Sequence, residues 1–389
     1  MIAVSRKTPE VVGGYSERKF VVLPTLALLV LCLDLACAFT ITPANIRSSF
    51  VTHKSTKKSG GSLSATGGDP NDNKNENENS SILMTFDLDD TLFPIQEVVD
   101  AANDAQIKAM QSFGYKESNM EQCMVQTRAI RQSLTGSITY TDLRKGAIRA
   151  ELKQLSSSKN YGNSVDLEQQ VEQCFEAWLQ ARHDASEHYL FPQALPALQS
   201  LQDTFSSTHN LCIAAITNGR GNPLSMTNTL APYFDFCVSG EDDDVFPHRK
   251  PHSEIYMAAL KRWQALPSQK EQKQDKDDDD LIRPDIWIHI GDCLANDVGA
   301  SNDVGAHAIW VAPVESSEAD GTQPSWSTAT EKDRQERAML MEAARSKMSG
   351  QITCLSQLNS VVQSILLKQT AVSSSATEDS LVGSTETEK

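Results

Sequence analysis

The chain has 389 residues, with 51 Asp and Glu against 35 Lys and Arg and a formal net charge of -16. That acidic balance argues against a nucleic-acid partner, whose phosphates it would repel, and any small anionic substrate would need basic residues gathered locally. The length leaves room for one core domain plus an insertion, and eight cysteines without a C-x-x-C spacing indicate neither a zinc site nor a disulfide framework, which suits a reducing compartment.

In chain order, residues 1–38 read as a signal peptide. Arg6, Lys7, Arg18 and Lys19 precede the apolar run Phe20–Leu33, and Ala36-Cys37-Ala38 supplies a small-x-small cleavage site. Pro24 and Asp34 interrupt or end that run, so no stable membrane anchor is expected in the mature chain. Residues 39–68 hold no acidic residue and place Arg47, Lys54, Lys57 and Lys58 among Ser and Thr, a transit-like composition. The two segments, joined at Ala38-Phe39, resemble the bipartite presequences of algae with complex plastids. That resemblance implies a plastid destination; plain secretion is the alternative. A polar linker, residues 69–81, follows.

The folded part is expected to begin at Ile82. The run Ile82–Phe86 predicts a buried strand that ends in Asp87-Leu88-Asp89-Asp90-Thr91-Leu92, so Asp87 and Asp89 fall where a sheet meets solvent. Such a position suits a cation and chemistry. It also suits an Asp-rich turn that stops a strand and caps a helix. Residues 97–188 then read as all-helical, with apolar residues near helical period in Val98, Val99, Ala102, Ile107 and Met110, in Leu143, Ala147, Ile148 and Leu152, and in Val171, Phe175, Trp178 and Leu179. Breaks fall at Gly114, Gly136 and Ser156–Asn163. This is a helical cap inserted into a core formed by residues 82–96 and 189–369.

Beyond Phe191, strands are predicted at Leu211–Thr217, Phe236–Ser239, Ile286–Ile290 and Ala308–Val311, and helices at Ala194–Phe205, Ser253–Gln264 and Ala295–Val304. The alternation predicts an α/β fold with a Rossmann-like parallel sheet covered on both faces. Residues 267–284 read as a solvated acidic loop, 330–348 as a peripheral amphipathic helix, and 370–389 as a disordered tail.

Three further signals sit at predicted strand ends or before a helix. Thr217-Asn218-Gly219-Arg220 offers a hydroxyl and a turn whose N–H groups can face an anion. Lys250 precedes Pro251 and a helix, and its ammonium could neutralise a phosphate. Gly291-Asp292-Cys293-Leu294-Ala295-Asn296-Asp297 again puts carboxylates at a strand tip. His289 alternates with Ile288 and Ile290 and reads as a core residue. Arg128, Arg131, Arg144, Lys145 and Arg149 are cap cations among which the sequence does not choose.

The order Asp-x-Asp-x-Thr, strand-terminal Thr, Lys, then Gly-Asp-x-x-x-Asn-Asp resembles the haloacid dehalogenase superfamily of hydrolases over residues 82 to about 315. The resemblance implies a phosphatase-type member with a helical cap of the C1 type. Asp87 would be the nucleophile that forms an aspartyl-phosphate, and Asp89 the general acid and base. Thr217, the Asn218 backbone N–H and Lys250 would hold the phosphoryl oxygens. Mg²⁺ would be held by Asp87, the carbonyl of Asp89 and Asp292, with Asp297 orienting its waters or Lys250. Members that cleave carbon–halogen bonds lack the second acid, so Asp89 favours phosphoryl chemistry on a small phosphorylated metabolite, in a nucleotidase-like or flavin-pathway manner. The alternatives are a sugar phosphomutase and a catalytically silent binding protein.

Overall fold

The computed structural model describes residues 80–158, 166–270, 282–312 and 331–382. The expectations for residues 1–79, the signal, transit-like and linker segments, lie outside these, as does most of the acidic loop, of which the described start is a short helix at Pro267–Lys270.

Six strands, β1 Ser81–Phe86, β2 Asn210–Thr217, β3 Phe236–Ser239, β4 Ile286–Gly291, β5 His307–Val311 and β6 Met348–Ile352, form one sheet in the order β3-β2-β1-β4-β5-β6. Every neighbouring pair is parallel. Parallel strands need both faces covered, which is why β1 is buried along its whole length and is largely apolar. Side-chain alternation divides the core accordingly. Ile82, Met84 and Phe86 join Ile213, Ala215, Ile288 and Ile290 on one face against Leu198, Leu201 and Phe205, while Leu83 joins Ala214, Ile216 and Trp287 on the other against Tyr256, Leu260 and Trp263. Strand order reverses at β1, which pairs with β2 on one side and β4 on the other, so the ligand crevice of such a sheet opens beyond the carboxyl ends of these three strands.

Four helices separate β1 from the rest of the sheet: α1 Ile95–Ser112, α2 Met120–Ser133, α3 Tyr140–Ser158 and α4 Leu167–His188. They share their own core, built from Ala102, Met110, Cys123, Ile148, Leu152, Val171, Phe175 and Trp178. The Asn119 side chain accepts the Gln122 N–H to start α2, and Asp166 accepts the Glu168 N–H to start α4. The chain enters and leaves this four-helix insertion side by side, with the Phe191 N–H donating to the Leu92 carbonyl at 2.9 Å.

The remaining helices are α5 Ala194–Phe205, α6 Ser253–Gln264, α7 Pro267–Lys270, α8 Ala300–Asp303, α9 Glu331–Ala344 and α10 Leu358–Val382. The structure departs from the sequence reading in three places. The expected helix Ala295–Val304 begins instead as a π-helical turn, Leu294–Gly299, because the Asp297 and Val298 N–H groups both reach back to the Cys293 carbonyl. Strand β6 was not expected: its sequence Met-Ser-Gly-Gln-Ile carries no alternating apolar signal, and a Cβ on Gly350 would stand 2.5 Å from Val361 Cγ1, so α10 crosses the strand where only glycine fits. Finally, helix α10 was not expected either; it runs from Leu358 to Val382, and no Gly or Pro interrupts residues 358–382. Residues 383–389 lie outside the described residues. No helix among the described residues is long and apolar enough to cross a membrane.

Candidate active site

β1 delivers Asp87 to the crevice, where its backbone N–H extends the ladder to the Ile290 carbonyl at 2.8 Å. The chain then turns tightly. Asp90 takes a left-handed φ of 59°, which Asp tolerates better than most residues, and its Oδ1 accepts the Ile95 N–H at 2.9 Å at the start of α1. Asp90 therefore builds the turn, while Asp87 and Asp89 are left to the crevice.

Lys250 is positioned from β2. Asn218, the residue after Thr217, accepts the Lys250 N–H on Oδ1 at 2.8 Å and donates Nδ2 to the Lys250 carbonyl at 3.0 Å. The ammonium so placed donates to Asp87 Oδ1 at 2.6 Å and to Asp297 Oδ1 at 2.7 Å. Asp297 also accepts the Cys293 N–H on Oδ2 at 2.9 Å, a contact made by the π-helical turn. A Cβ on Gly291 would lie 2.3 Å from Asp297 Cγ, so glycine at the end of β4 is what admits this carboxylate. Thr217 is buried at the end of β2, where its Oγ1 accepts the Gly219 N–H at 3.2 Å.

His289 is a buried residue of β4, as its alternation suggested, yet it also touches the site. Trp287 Nε1 donates to Thr85 Oγ1 at 3.0 Å, and Thr85 Oγ1 is 2.8 Å from His289 Nδ1. The network is satisfied if the hydroxyl proton goes to Nδ1, leaving Nε2–H to donate to Asp297 Oδ1 at 3.3 Å. Burial pushes the imidazole down, keeping it neutral despite Asp297.

The carboxylates are electrostatically unequal. Burial, reinforced by the charges of Asp297 and Asp89 and opposed by Lys250, raises Asp87 to about 7. Burial, with Asp297 and Asp87 nearby, raises Asp292 well above the usual carboxylate range. Burial would raise Asp297 as well, but Lys250 and His289 hold it below that range. Lys250 in turn is held above the ordinary lysine value by Asp297 and Asp87 in spite of its burial.

Carboxylate oxygens of Asp87, Asp292 and Asp297 lie within 4.8 Å of one another. Asp292 accepts no hydrogen bond on its carboxylate among the described residues, whereas both oxygens of Asp297 are engaged. A buried anionic cluster of hard oxygen donors, with one member free and another half-free, fits a divalent cation such as Mg²⁺, and leaves Asp87 and Asp292 as its side-chain donors.

Above these residues lies a cavity of about 450 Å³, with Asp89, Asn218 and Gly219 at its core end and Phe175, Trp178, Tyr140 and Arg144 in the wall formed by the inserted helices. Arg182 of α4 spans the two, donating NH2 to Asp89 Oδ1 at 2.7 Å and Oδ2 at 3.0 Å. This residue was missed in the sequence. Its signal was present, since Arg182 follows Val171, Phe175 and Trp178 on one helical face, a charge on an otherwise apolar stripe. Glu241 was missed as well: buried in the core, it accepts the Tyr140 and Thr141 N–H groups and so caps α3 from across the domain boundary.

A solved 2-haloacid dehalogenase from Pseudomonas syringae pv. Tomato DC3000 is similar to the chain at 22% identity and a TM-score of 0.49, covering 73% of this chain and 98% of that one. A putative HAD-hydrolase, YfnB from Bacillus subtilis, solved bound to magnesium, is 16% identical with a TM-score of 0.39, covering 74% and 100%. A HAD phosphatase from Thermococcus onnurineus is 16% identical with a TM-score of 0.37, covering 73% and 97%. Comparison with curated proteins gives no match. The family model of haloacid dehalogenase-like hydrolases matches residues 83–305, more than half of the chain. With that match, and with three motifs at the ends of β1, β2 and β4 and the lysine just before α6, the chain belongs to the haloacid dehalogenase-like hydrolases.

Proposed function

We propose that this hydrolase is a Mg²⁺-dependent phosphomonoesterase of small phosphorylated metabolites, with its four-helix insertion serving as a C1-type cap. The observation that carries the reading is Asp89. It stands at the core end of the cavity, close enough for its charge to raise Asp87, and it is the second acid that carbon–halogen cleavage does without.

In this mechanism Asp87 attacks phosphorus and the ester P–O bond breaks, giving an aspartyl-phosphate and an alcohol whose oxygen takes its proton from Asp89. Asp89 then takes a proton from water, the water oxygen attacks phosphorus, and inorganic phosphate leaves with Asp87 restored. Lys250 holds Asp87 through Oδ1 at 2.6 Å and so fixes the orientation of the attacking carboxylate. Mg²⁺, held by Asp87 and Asp292, would supply Lewis-acid polarisation of the phosphoryl group. Thr217, the Asn218 N–H and Lys250 stabilise the charge that develops on phosphoryl oxygens. Arg182 fixes both oxygens of Asp89 and is a positioning residue; that contact must give way to one with the leaving oxygen as substrate fills the cavity. The cap excludes water from the site and limits the substrate to a small molecule.

The purified chain, assayed with Mg²⁺ on an aryl phosphate, should release phosphate, and Asp87→Asn should not. Equal rates in the two proteins, or activity that survives thorough chelation, would remove the proposal. For residues 1–68 the accompanying proposal is plastid import.

A further inference from the structure

The cap holds a cation that phosphoryl transfer does not use. Arg144, about one turn into α3, donates NH1 to Asn103 Oδ1 at 3.0 Å and to Gln106 Oε1 at 2.9 Å. Its guanidinium lies 4.0 Å over the Trp178 ring, and Trp178 Nε1 donates to the same Asn103 oxygen at 3.3 Å. The guanidinium is thus fixed in place on the cavity wall by two neutral amides and an aromatic face. Among the described residues it has no carboxylate partner.

Its neighbours on the same helix differ. Lys145 pairs with Glu172 at 2.6 Å and Arg149 with Glu168 at 2.5 Å, both away from the cavity. Leaving a desolvated cation without an anion is costly, and here burial, together with the charge of nearby Arg182, pushes Arg144 down to about 10. Arg182 adds a second unspent donor. It is 3% exposed, and its Nε has no hydrogen-bond partner although NH2 is engaged by Asp89. Glu241 seats the first turn of α3 on the core, so Arg144 is held at a defined place relative to the motif loops.

We infer that the cap end of the cavity is an anion subsite, and that the substrate is a phosphate monoester bearing a second anionic group, a carboxylate or a second phosphate, which Arg144 meets while the ester phosphate lies at Asp87. The inference rests on the phosphomonoesterase reading and selects a class within it. Asn103 and Gln106 orient the guanidinium through NH1 and leave its other nitrogens for the incoming anion. A neutral tail would bury the guanidinium and leave it unpaired.

The test compares three aryl phosphates on the full chain with Mg²⁺: 4-carboxyphenyl phosphate, 1,4-phenylene bisphosphate counted per ester group, and the neutral 4-carbamoylphenyl phosphate. Wild type should favour at least one anionic ester over the carbamoyl ester by about tenfold or more in kcat/KM, the size of one charge-assisted contact, and the preferred ester names the anion. Arg144→Gln should bring that ratio close to one, whereas Lys145→Gln should keep it. Should the glutamine variant fail to fold, Arg144→Lys serves, since an ammonium keeps the charge but not the forked geometry and should lower the ratio only partly. Hydrolysis of all three esters by wild type without preference overturns the subsite and leaves the phosphomonoesterase standing. A preference that Arg144→Gln leaves intact also overturns it. Hydrolysis of none of the three removes the activity itself.

Discussion

Lys250→Met removes the cation that joins Asp87 to Asp297 at the centre of the site. The Lys250 side chain is 2% exposed and its two partners, Asp87 and Asp297, are 11% and 1% exposed. Methionine fills much the same volume but strands two neighbouring carboxylates without their cation. Breaking a buried pair from one side costs about 3–5 kcal/mol, which at about 2–4 °C per kcal/mol corresponds to a fall in Tm of roughly 6–20 °C. The melt should be followed by circular dichroism in chelator at neutral pH, where no divalent ion can substitute for the ammonium. Adding Asp297→Asn to the variant removes one stranded charge and should recover stability, with a coupling of about 1–3 kcal/mol between the two positions. Turnover should not recover, because the donor to the phosphoryl oxygens is still missing, a loss of about 10²–10³ in kcat. A Lys250→Met protein that melts with wild type in chelator, or a double variant less stable than the single one, would refute the ion-pair account.

Further outcomes follow from the same geometry. Asp90→Asn should keep most of the activity, since Asn also tolerates the left-handed φ and its amide oxygen can still accept the Ile95 N–H; a loss comparable to Asp87→Asn in a phosphate-release assay would contradict the division of labour along the turn. Gly291→Ala drives a Cβ against Asp297 and should destabilise the fold by about 1–3 kcal/mol while lowering turnover, checked by thermal melting and initial rates. Mg²⁺ affinity should rise with pH from about 6 to about 8, because burial raises Asp87 to about 7 and lifts Asp292, so the metal must displace protons from them; calorimetry in buffers of different ionisation enthalpy should record proton release, and a pH-independent affinity would count against these donors. A reporter fused to residues 1–68 should enter the plastid of an alga with complex plastids, and its secretion would overturn the targeting proposal.

How far the sequence reveals this molecule depends on whether a feature is local. Strand β1 and the helices inserted after it are legible because the period of each is decided by its own residues: Ile82–Phe86 is largely apolar because both faces of a parallel strand are buried. Features that depend on distant neighbours are not. Strand β6 owes its glycine to α10 passing over it, and the turn at Leu294–Gly299 widens because two N–H groups share one carbonyl. Arg182 and Glu241 act across about a hundred residues of sequence, where no spacing rule reaches, although a charge on the apolar stripe of α4 was a visible anomaly. Arg144 stood among five cations of equal standing in the sequence, and what sets it apart is its fixed place on the cavity wall through Asn103, Gln106 and the Trp178 ring, while Lys145 and Arg149 pair with glutamates.

The most direct test of phosphoryl transfer through Asp87 is to acid-quench the enzyme during turnover of a phosphate monoester with Mg²⁺, and in parallel with a 2-haloacid, and to map any covalent adduct by peptide mass spectrometry. A phosphoryl group on the peptide containing Asp87, with phosphate release and no halide release, is the predicted result. Halide release and an alkyl ester on Asp87, without phosphate release from any monoester, would contradict it.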